Sequence, residues 1–568
     1  MKSHGNSDRE HSVAKQFTLR SNRRVAAIIK HHCRGYFFLF AFSLGTSPGL
    51  VKSEAPISPD VIAVSPTALQ PSLSDWIARR SSEGLSVAVV EPGESLAVTL
   101  TKLNQLGRVG KTRYVLLLGD SQTDQESKPL YPEAFIPTGL ARAEASAAWQ
   151  HSSLIPTDYL YGDLNNDGKA DAAVGRLPVH SQEQARDLFH RIASYEDSND
   201  FGPWRTRVEL VAGLGGFGTL VDKAIETVAT GIITGSLPKS VVPRVTHAGP
   251  SSPFCPGNDL FTETVINNYR EGSRFWVYAG HGSIQELDKI PPNRDGRPIL
   301  SANDLPELKC SASSAPIALI LACYTGAIDA EQSCFAKQML LSDGGPVAVL
   351  AGTRVTMPYG NTAAAIALIH AVYETKAPRL GDVWLRSLEE LSTPTNNSSD
   401  LMKRRGPIDG LASILGSASI DEERREHGLL YNWLGDPTMR LNHPSFIQLK
   451  SADQAQAGSD MLVSADLPTH GLLKLSFHRR LGAPELNESL SVKSTMRINA
   501  SQRYKVANKT ELHSEIYTIT AAGPWLARVS LPNYLSGPVT IIATISDSST
   551  FATGAKQIWV RNNTEIHR

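Results

Sequence analysis

Net charge is the first thing missing. The 56 Lys and Arg residues balance 56 Asp and Glu over 568 residues, and charged residues make up only 20% of the chain. A balanced surface has no field to draw it to nucleic acid or an anionic membrane, so polyanion binding is set aside. Cysteine is scarce, five in all, and no Cys-x-x-Cys pair occurs, which argues against structural zinc held by thiolates. Setting aside Cys33 near the amino end, Cys255, Cys310, Cys323 and Cys334 remain in a chain too large to need disulfide staples. A thiol kept for its chemistry is therefore the thing to look for. A His-Glu-x-x-His helix and a Walker loop are absent as well, as are internal repeats and low-complexity tracts.

What is present begins with export. Basic residues through Arg34 precede an apolar run at 35–45, then small and turn-forming residues. The run fits the ~7 to 15 residues of a signal h-region and falls short of the ~20 a spanning helix needs. Residues 1–54 therefore read as a signal and export region, leaving a mature chain with no integral membrane segment.

A chain of this length exceeds one core, so several domains are expected. From about residue 60, short β-branched or leucine-rich runs at 61–64, 86–90, 114–120 and 172–177 alternate with helical spacing at 75–80 and 182–195. The pattern restarts at 208–212, 275–279, 316–323 and 346–352. Both blocks predict doubly wound, mostly parallel α/β sheets covered on both faces, in subdomains 55–205 and 206–443. Beyond Pro444, alternating runs at 472–477, 525–531, 539–545 and 557–560 predict an immunoglobulin-like β-sandwich over 444–568. Residues 396–400 and 404–416 read as surface loop.

Two residues carry the chemistry. His281 lies just past the run at 275–279 between Gly280 and Gly282, and Cys323 ends the run at 316–323 with Gly326 soon after. In open α/β sheets reacting groups gather at the carboxyl ends of strands. A thiol attacks well only as thiolate, so an imidazole must be near enough to take its proton. Cys323 is thus the expected nucleophile and His281 the general base and then acid. The backbone N–H groups of Gly282 and Cys323 are the expected oxyanion donors.

A separate stretch, Asp163, Asn165, Asp167, Lys169 and Asp171 with Gly168 among them, spaces oxygen ligands as a calcium loop does, Lys169 giving its carbonyl. Val174 stands where an EF-hand has its bidentate glutamate, so the stretch reads as an open calcium site or as a turn joining two strands.

Gly280 to Ser283, Ala322 with Cys323, Ser333 to Ala336 and Trp433 to Pro437 resemble, in this order, the motifs of the gingipain (C25) cysteine peptidases. Residues 114–120, 156–159, 174–176 and Glu196 also look like family landmarks, so the resemblance covers about 60–442. It implies a caspase-like fold, an immunoglobulin-like domain after it, secretion, and endopeptidase activity on proteins or peptides through Cys323 and His281, with no cofactor for the chemistry. Three positions depart from the arginine-specific relatives. Leu214 stands where they carry an acidic residue supporting the histidine, which leaves Asp288 as a substitute to be sought in space. Asp222 matches their arginine-binding aspartate only across a shortened loop. Tyr359 stands where they have a tryptophan lid. A basic residue at the cleaved position is the expectation these carry, with Asp222 and Tyr359 in the substrate pocket. The rival reading is an inactive peptidase-like surface or periplasmic binding protein, with adhesion in the sandwich.

Overall fold

Residues 61–64 are apolar without interruption because the sheet they join is covered on both faces. Val61 and Ala63 of β1 (Val61–Val64) share one core with Trp76. Ile62 and Val64 share another with Leu103. Trp76 lies on α1 (Ser74–Ser82) and Leu103 on α2 (Leu96–Leu106), so successive crossovers cover opposite faces. The computed structural model describes residues 58–149, 152–214, 235–290, 296–414, 419–482 and 499–561. The export region and Asp222 lie outside the described residues.

β2 (Val87–Val90), β3 (Tyr114–Leu118) and β6 (Ala173–Leu177) run parallel with β1, while β4 (Gly139–Arg142) and β5 (Leu154–Thr157) form a separate antiparallel pair. After α3 (Gln182–Glu196) come β7 (Arg207–Ala212), β8 (Val242–His247), α4 (Phe261–Arg270), β9 (Phe275–Ala279), β10 (Ile317–Leu321), α5 (Phe335–Leu341) and β11 (Ala348–Gly352). α6 (Pro358–Ile369), α7 (Leu380–Ser392), α8 (Ser399–Ile414) and α9 (Ile420–Leu430) then lead to β12 (Tyr431–Leu434).

The two expected subdomains share one sheet, ordered β2-β1-β3-β6-β12-β11-β10-β9-β7-β8 among the described residues. β12 is parallel to β6 and antiparallel to β11. Each block is parallel within itself and the two run in opposite directions, joined through a strand from late in the chain.

The surface-loop reading of 404–416 is corrected: Ser399–Ile414 is helical. Its sequence lacks a clear apolar stripe because tertiary hydrogen bonds hold it. Buried Arg405 donates to the carbonyls of Glu390 at 2.7 Å and Thr393 at 2.6 Å. The reading of 396–400 fails in part too, since Thr395–Asn397 is a 3-10 turn leading into α8.

Beyond residue 444 lie β13 (Ser445–Phe446), β14 (Gln454–Gln456), β15 (Asp460–Leu467), β16 (Gly471–His478), α10 (Ala500–Asn508), β17 (Glu511–Ile519), β18 (Gly523–Ser530), β19 (Gly537–Ser546) and β20 (Phe551–Arg561). The sheet β13-β20-β19-β16-β17 and the pair β15-β18 enclose a core that includes Val463, Leu475, Phe477, Val529, Ile541 and Ile558, as a β-sandwich does. α10 reaches back to the edge strand β8. Asn508 accepts from the N–H of Val245 at 2.8 Å and donates to its carbonyl at 2.9 Å, standing in for a neighbouring strand. Among the described residues no helix is long and apolar enough to cross a membrane.

Candidate functional site

Strand register brings the two expected reactive residues together. Ala279 of β9 pairs with Leu321 of β10, and His281 and Cys323 each follow two residues on. Adjacent strands lie ~4.8 Å apart, so the side chains leave neighbouring strands at one level. On the far side of β9, Ala212 pairs with Ala279, which puts Leu214 level with His281. On the far side of β10, Ile320 pairs with Ala351, which puts Arg354 level with Cys323. Leu214, His281, Cys323 and Arg354 thus come from four strand ends in one row.

Close approach at this rim requires glycine at 282. A Cβ there would stand 2.9 Å from the Cys323 carbonyl oxygen and 2.7 Å from the Thr325 methyl. Among the described residues no backbone carbonyl accepts from the N–H of Gly282 or Cys323. The residue after the cysteine, Tyr324, takes a left-handed φ of 57°. Its N–H donates to the Arg354 carbonyl at 3.2 Å, holding a sharp turn that lifts Cys323 to the rim.

His281 is exposed, and its backbone is fastened from below. Its carbonyl accepts from the Tyr278 hydroxyl at 2.7 Å and from the Asp288 N–H at 3.1 Å. Burial pushes the Tyr278 phenol well up, and the Asp288 carboxylate adds to this, so Tyr278 stays a donor. The Asp288 carboxylate accepts from the N–H groups of Leu214 at 3.1 Å and Lys289 at 2.8 Å. It therefore lies against the backbone of Leu214.

Cys323 is half-buried, whereas Cys255, Cys310 and Cys334 are buried, and none of the four is in a disulfide. Burial pushes the Cys334 thiol up to about 11. The Cys323 sulfur accepts from the Thr356 N–H at 3.3 Å. Thr356 carries no signal in the sequence, since any residue but proline has an N–H and only the tertiary path of the turn after β11 aims this one. Past Cys323, Ser121 and Thr123 donate to the carbonyls of Ile328 and Asp329, and buried Lys337 pairs with Asp120 at 2.5 Å. The first half of the chain thereby clamps the loop that follows the thiol.

Tyr359 opens α6, its hydroxyl donating to Asp409 and accepting from Arg424, both at 2.7 Å. The hydroxyl is thus committed within the protein, and the half-buried ring is what remains to offer a ligand.

Asp163, Asn165, Asp167, Lys169 and Asp171 share one turn before β6. The Asp163 carboxylate accepts from the N–H groups of Asp167 at 3.1 Å and Gly168 at 2.9 Å, Asp167 from Lys169 at 2.9 Å, and Asp171 from Leu164 at 3.0 Å. Partial burial, then the nearness of Asp167 and Asp163, raises the Asp171 carboxyl. Among the described residues no cluster of His, Cys, Asp or Glu is arranged to hold a metal ion.

Residues 54–442 match the model of peptidase family C25. No curated protein sequence matches the chain. The crystal structure of the Arg-specific cysteine proteinase gingipain R (RgpB) superposes with a TM-score of 0.50 at 15% identity, covering 89% of this chain and 99% of that one. The complex of Porphyromonas gingivalis RgpB pro- and mature domains gives a TM-score of 0.47 at 14% identity, covering 88% of this chain and 100% of that one.

Proposed function

The chain belongs to peptidase family C25 and is a cysteine-type peptidase; from that premise we propose that it is an exported endopeptidase working through Cys323 and His281. In this reading the His281 imidazole takes the Cys323 proton and the thiolate attacks the scissile carbonyl carbon. The carbonyl oxygen becomes an oxyanion facing the N–H groups of Gly282 and Cys323. Collapse expels the amine, which takes the proton from His281, and leaves a thioester. Water, giving a proton to His281, then attacks the thioester, and the released thiol recovers that proton. The observation that carries the reading is the register that puts both residues two positions beyond a paired Ala279 and Leu321. Asp288 is the proposed support for His281, through the bond from its N–H to the His281 carbonyl.

Specificity for a basic residue at the cleaved bond is the finer part of the proposal, with Asp222 as pocket floor and Tyr359 as wall. It leans on the arginine specificity of gingipain R. Export leans on the basic and then apolar order of residues 1–54.

The test is cleavage of a peptide library by protein lacking residues 1–54, in reductant, beside Cys323→Ala and His281→Ala. The expectation is cleavage after Arg or Lys that both substitutions reduce by at least about 10³-fold. Activity surviving in Cys323→Ala would refute the nucleophile, and silence of all three proteins would favour a binding scaffold.

A structural calcium ion at 163–171, which the chemistry does not require, rests on the oxygen spacing of that turn alone. It predicts a Tm that rises with calcium and no longer does so in Asp163→Asn. Equal Tm in calcium and in chelator would reduce the stretch to a turn.

A further inference from the structure

The polar groups behind Cys323 form a chain that the peptidase mechanism above leaves unused. Tyr431, fully buried on β12, donates its hydroxyl to Asn361 Oδ1 at 2.7 Å. Asn361 Nδ2 donates to Thr356 Oγ1 at 3.1 Å, and the Thr356 N–H donates to the Cys323 sulfur at 3.3 Å. Thr356 Oγ1 and the Thr356 carbonyl lie 3.8 and 3.6 Å from the same sulfur.

A second anchor acts on the next residue. The Met357 N–H donates to His427 Nε2 at 3.0 Å, while His427 Nδ1 lies 2.6 Å from the Glu423 carbonyl. Nδ1 must carry the proton to satisfy that carbonyl, which leaves Nε2 as the acceptor Met357 requires. Burial lowers the basicity of this ring, against the pull of Glu423 and Glu426, and so keeps it neutral. The ring fits only because residue 360 is glycine, since a Cβ there would stand 2.2 Å from Nδ1. Two consecutive N–H groups, of Thr356 and Met357, are thus aimed from outside their own turn.

We propose that Thr356 is a positioning residue for Cys323: Asn361, Tyr431 and His427 lock the 353–357 turn so that its N–H donates to the sulfur and favours the thiolate. The proposal rests on Cys323 being the nucleophile. A partly desolvated thiolate needs a hydrogen-bond donor, and the backbone supplies one that brings no proton to compete with His281. The other titratable groups around the sulfur cannot do this by charge. Tyr278 on β9, Tyr324 beside the thiol and Tyr431 on β12 all have phenol pKa values raised, chiefly by burial, and stay neutral. Arg354, level with Cys323, is engaged by the Asp329 carboxylate at 2.6 Å. His281 remains as the proton acceptor.

The experiment is the rate of Cys323 alkylation by iodoacetamide in the full chain, mapped by mass spectrometry of the Cys323 peptide across a pH series. Thr356→Val keeps the shape and the N–H but removes the oxygen that Asn361 grips. It is expected to move the alkylation midpoint to higher pH and to slow alkylation below the midpoint about three- to tenfold, with the high-pH plateau unchanged. Thr356→Ser, which restores the oxygen, should follow wild type, and Tyr431→Phe should shift the midpoint the same way by less. A Thr356→Val profile superimposed on wild type overturns the proposal while leaving the nucleophile intact. A wild-type Cys323 that alkylates no faster than an ordinary free thiol overturns the nucleophile assignment itself.

Discussion

His443 shows how one half-buried ring couples this protein to acid. Its Nε2 lies 2.8 Å from the Ala377 carbonyl and its Nδ1 accepts from Arg274 at 3.0 Å, so both bonds use the neutral ring. Burial, then the Arg274 charge, lowers its pKa to about 4. The unfolded chain binds a proton near the ordinary value of about 6.5 and the folded chain does not, so stability is full above that value and falls as pH drops toward 4. The loss from this residue reaches at most about 3 kcal/mol. Urea unfolding at a series of pH values checks it: His443→Gln should flatten the decline between pH 6.5 and 4, and an unchanged decline would assign the lability elsewhere. At this scale the placement of His281 and Cys323 just past two strand ends was legible, because apolar runs and flanking glycine are local signals. Thr356, Asn361, Tyr431 and His427 left none. Their roles arise where a turn, two helices and a distant strand meet, and no spacing rule predicts that meeting.

Among elements, the apolar runs read cleanly wherever both faces of a strand are buried. β1 and β9 have the bounds expected, and β10 and β11 fall inside theirs. β8 went unread because Pro243 and Arg244 interrupt its pattern, which an edge strand tolerates. α10 and β17 went unread as well, since polar residues alternate there with half-buried ones. The edge position of β8 also explains α10. An exposed row of N–H and C=O groups invites pairing with other chains, and Asn508 covers one residue of that row. Asn508→Ala leaves the buried Val245 N–H without its partner and should cost about 1–3 kcal/mol. Thermal unfolding measures this, and a loss no larger than that of an exposed control such as Arg503→Ala would show that the side chain is a bystander.

Across the whole molecule, the sequence conveyed two α/β halves and a sandwich but not the way the halves join. Trp76 and Arg80 of α1 both bond Asp436 Oδ2 at 2.7 Å, and Arg80 also bonds Glu196 at 2.9 Å. Burial alone would raise the Asp436 carboxyl, but Arg80, Thr438 and Trp76 together hold it below the usual carboxylate range. These partners lie hundreds of positions apart and carry no mutual signal along the chain. The joining strand has a consequence in time. β12 closes the first block of the sheet, Tyr431 stands behind the thiol, and Asp436 neutralises the charge beneath α1, yet all three are among the last parts of the α/β region to be synthesised. A chain made amino end first therefore holds His281 and Cys323 before the parts that finish their surroundings arrive, and the sheet that carries them is completed last from within the chain's own final third.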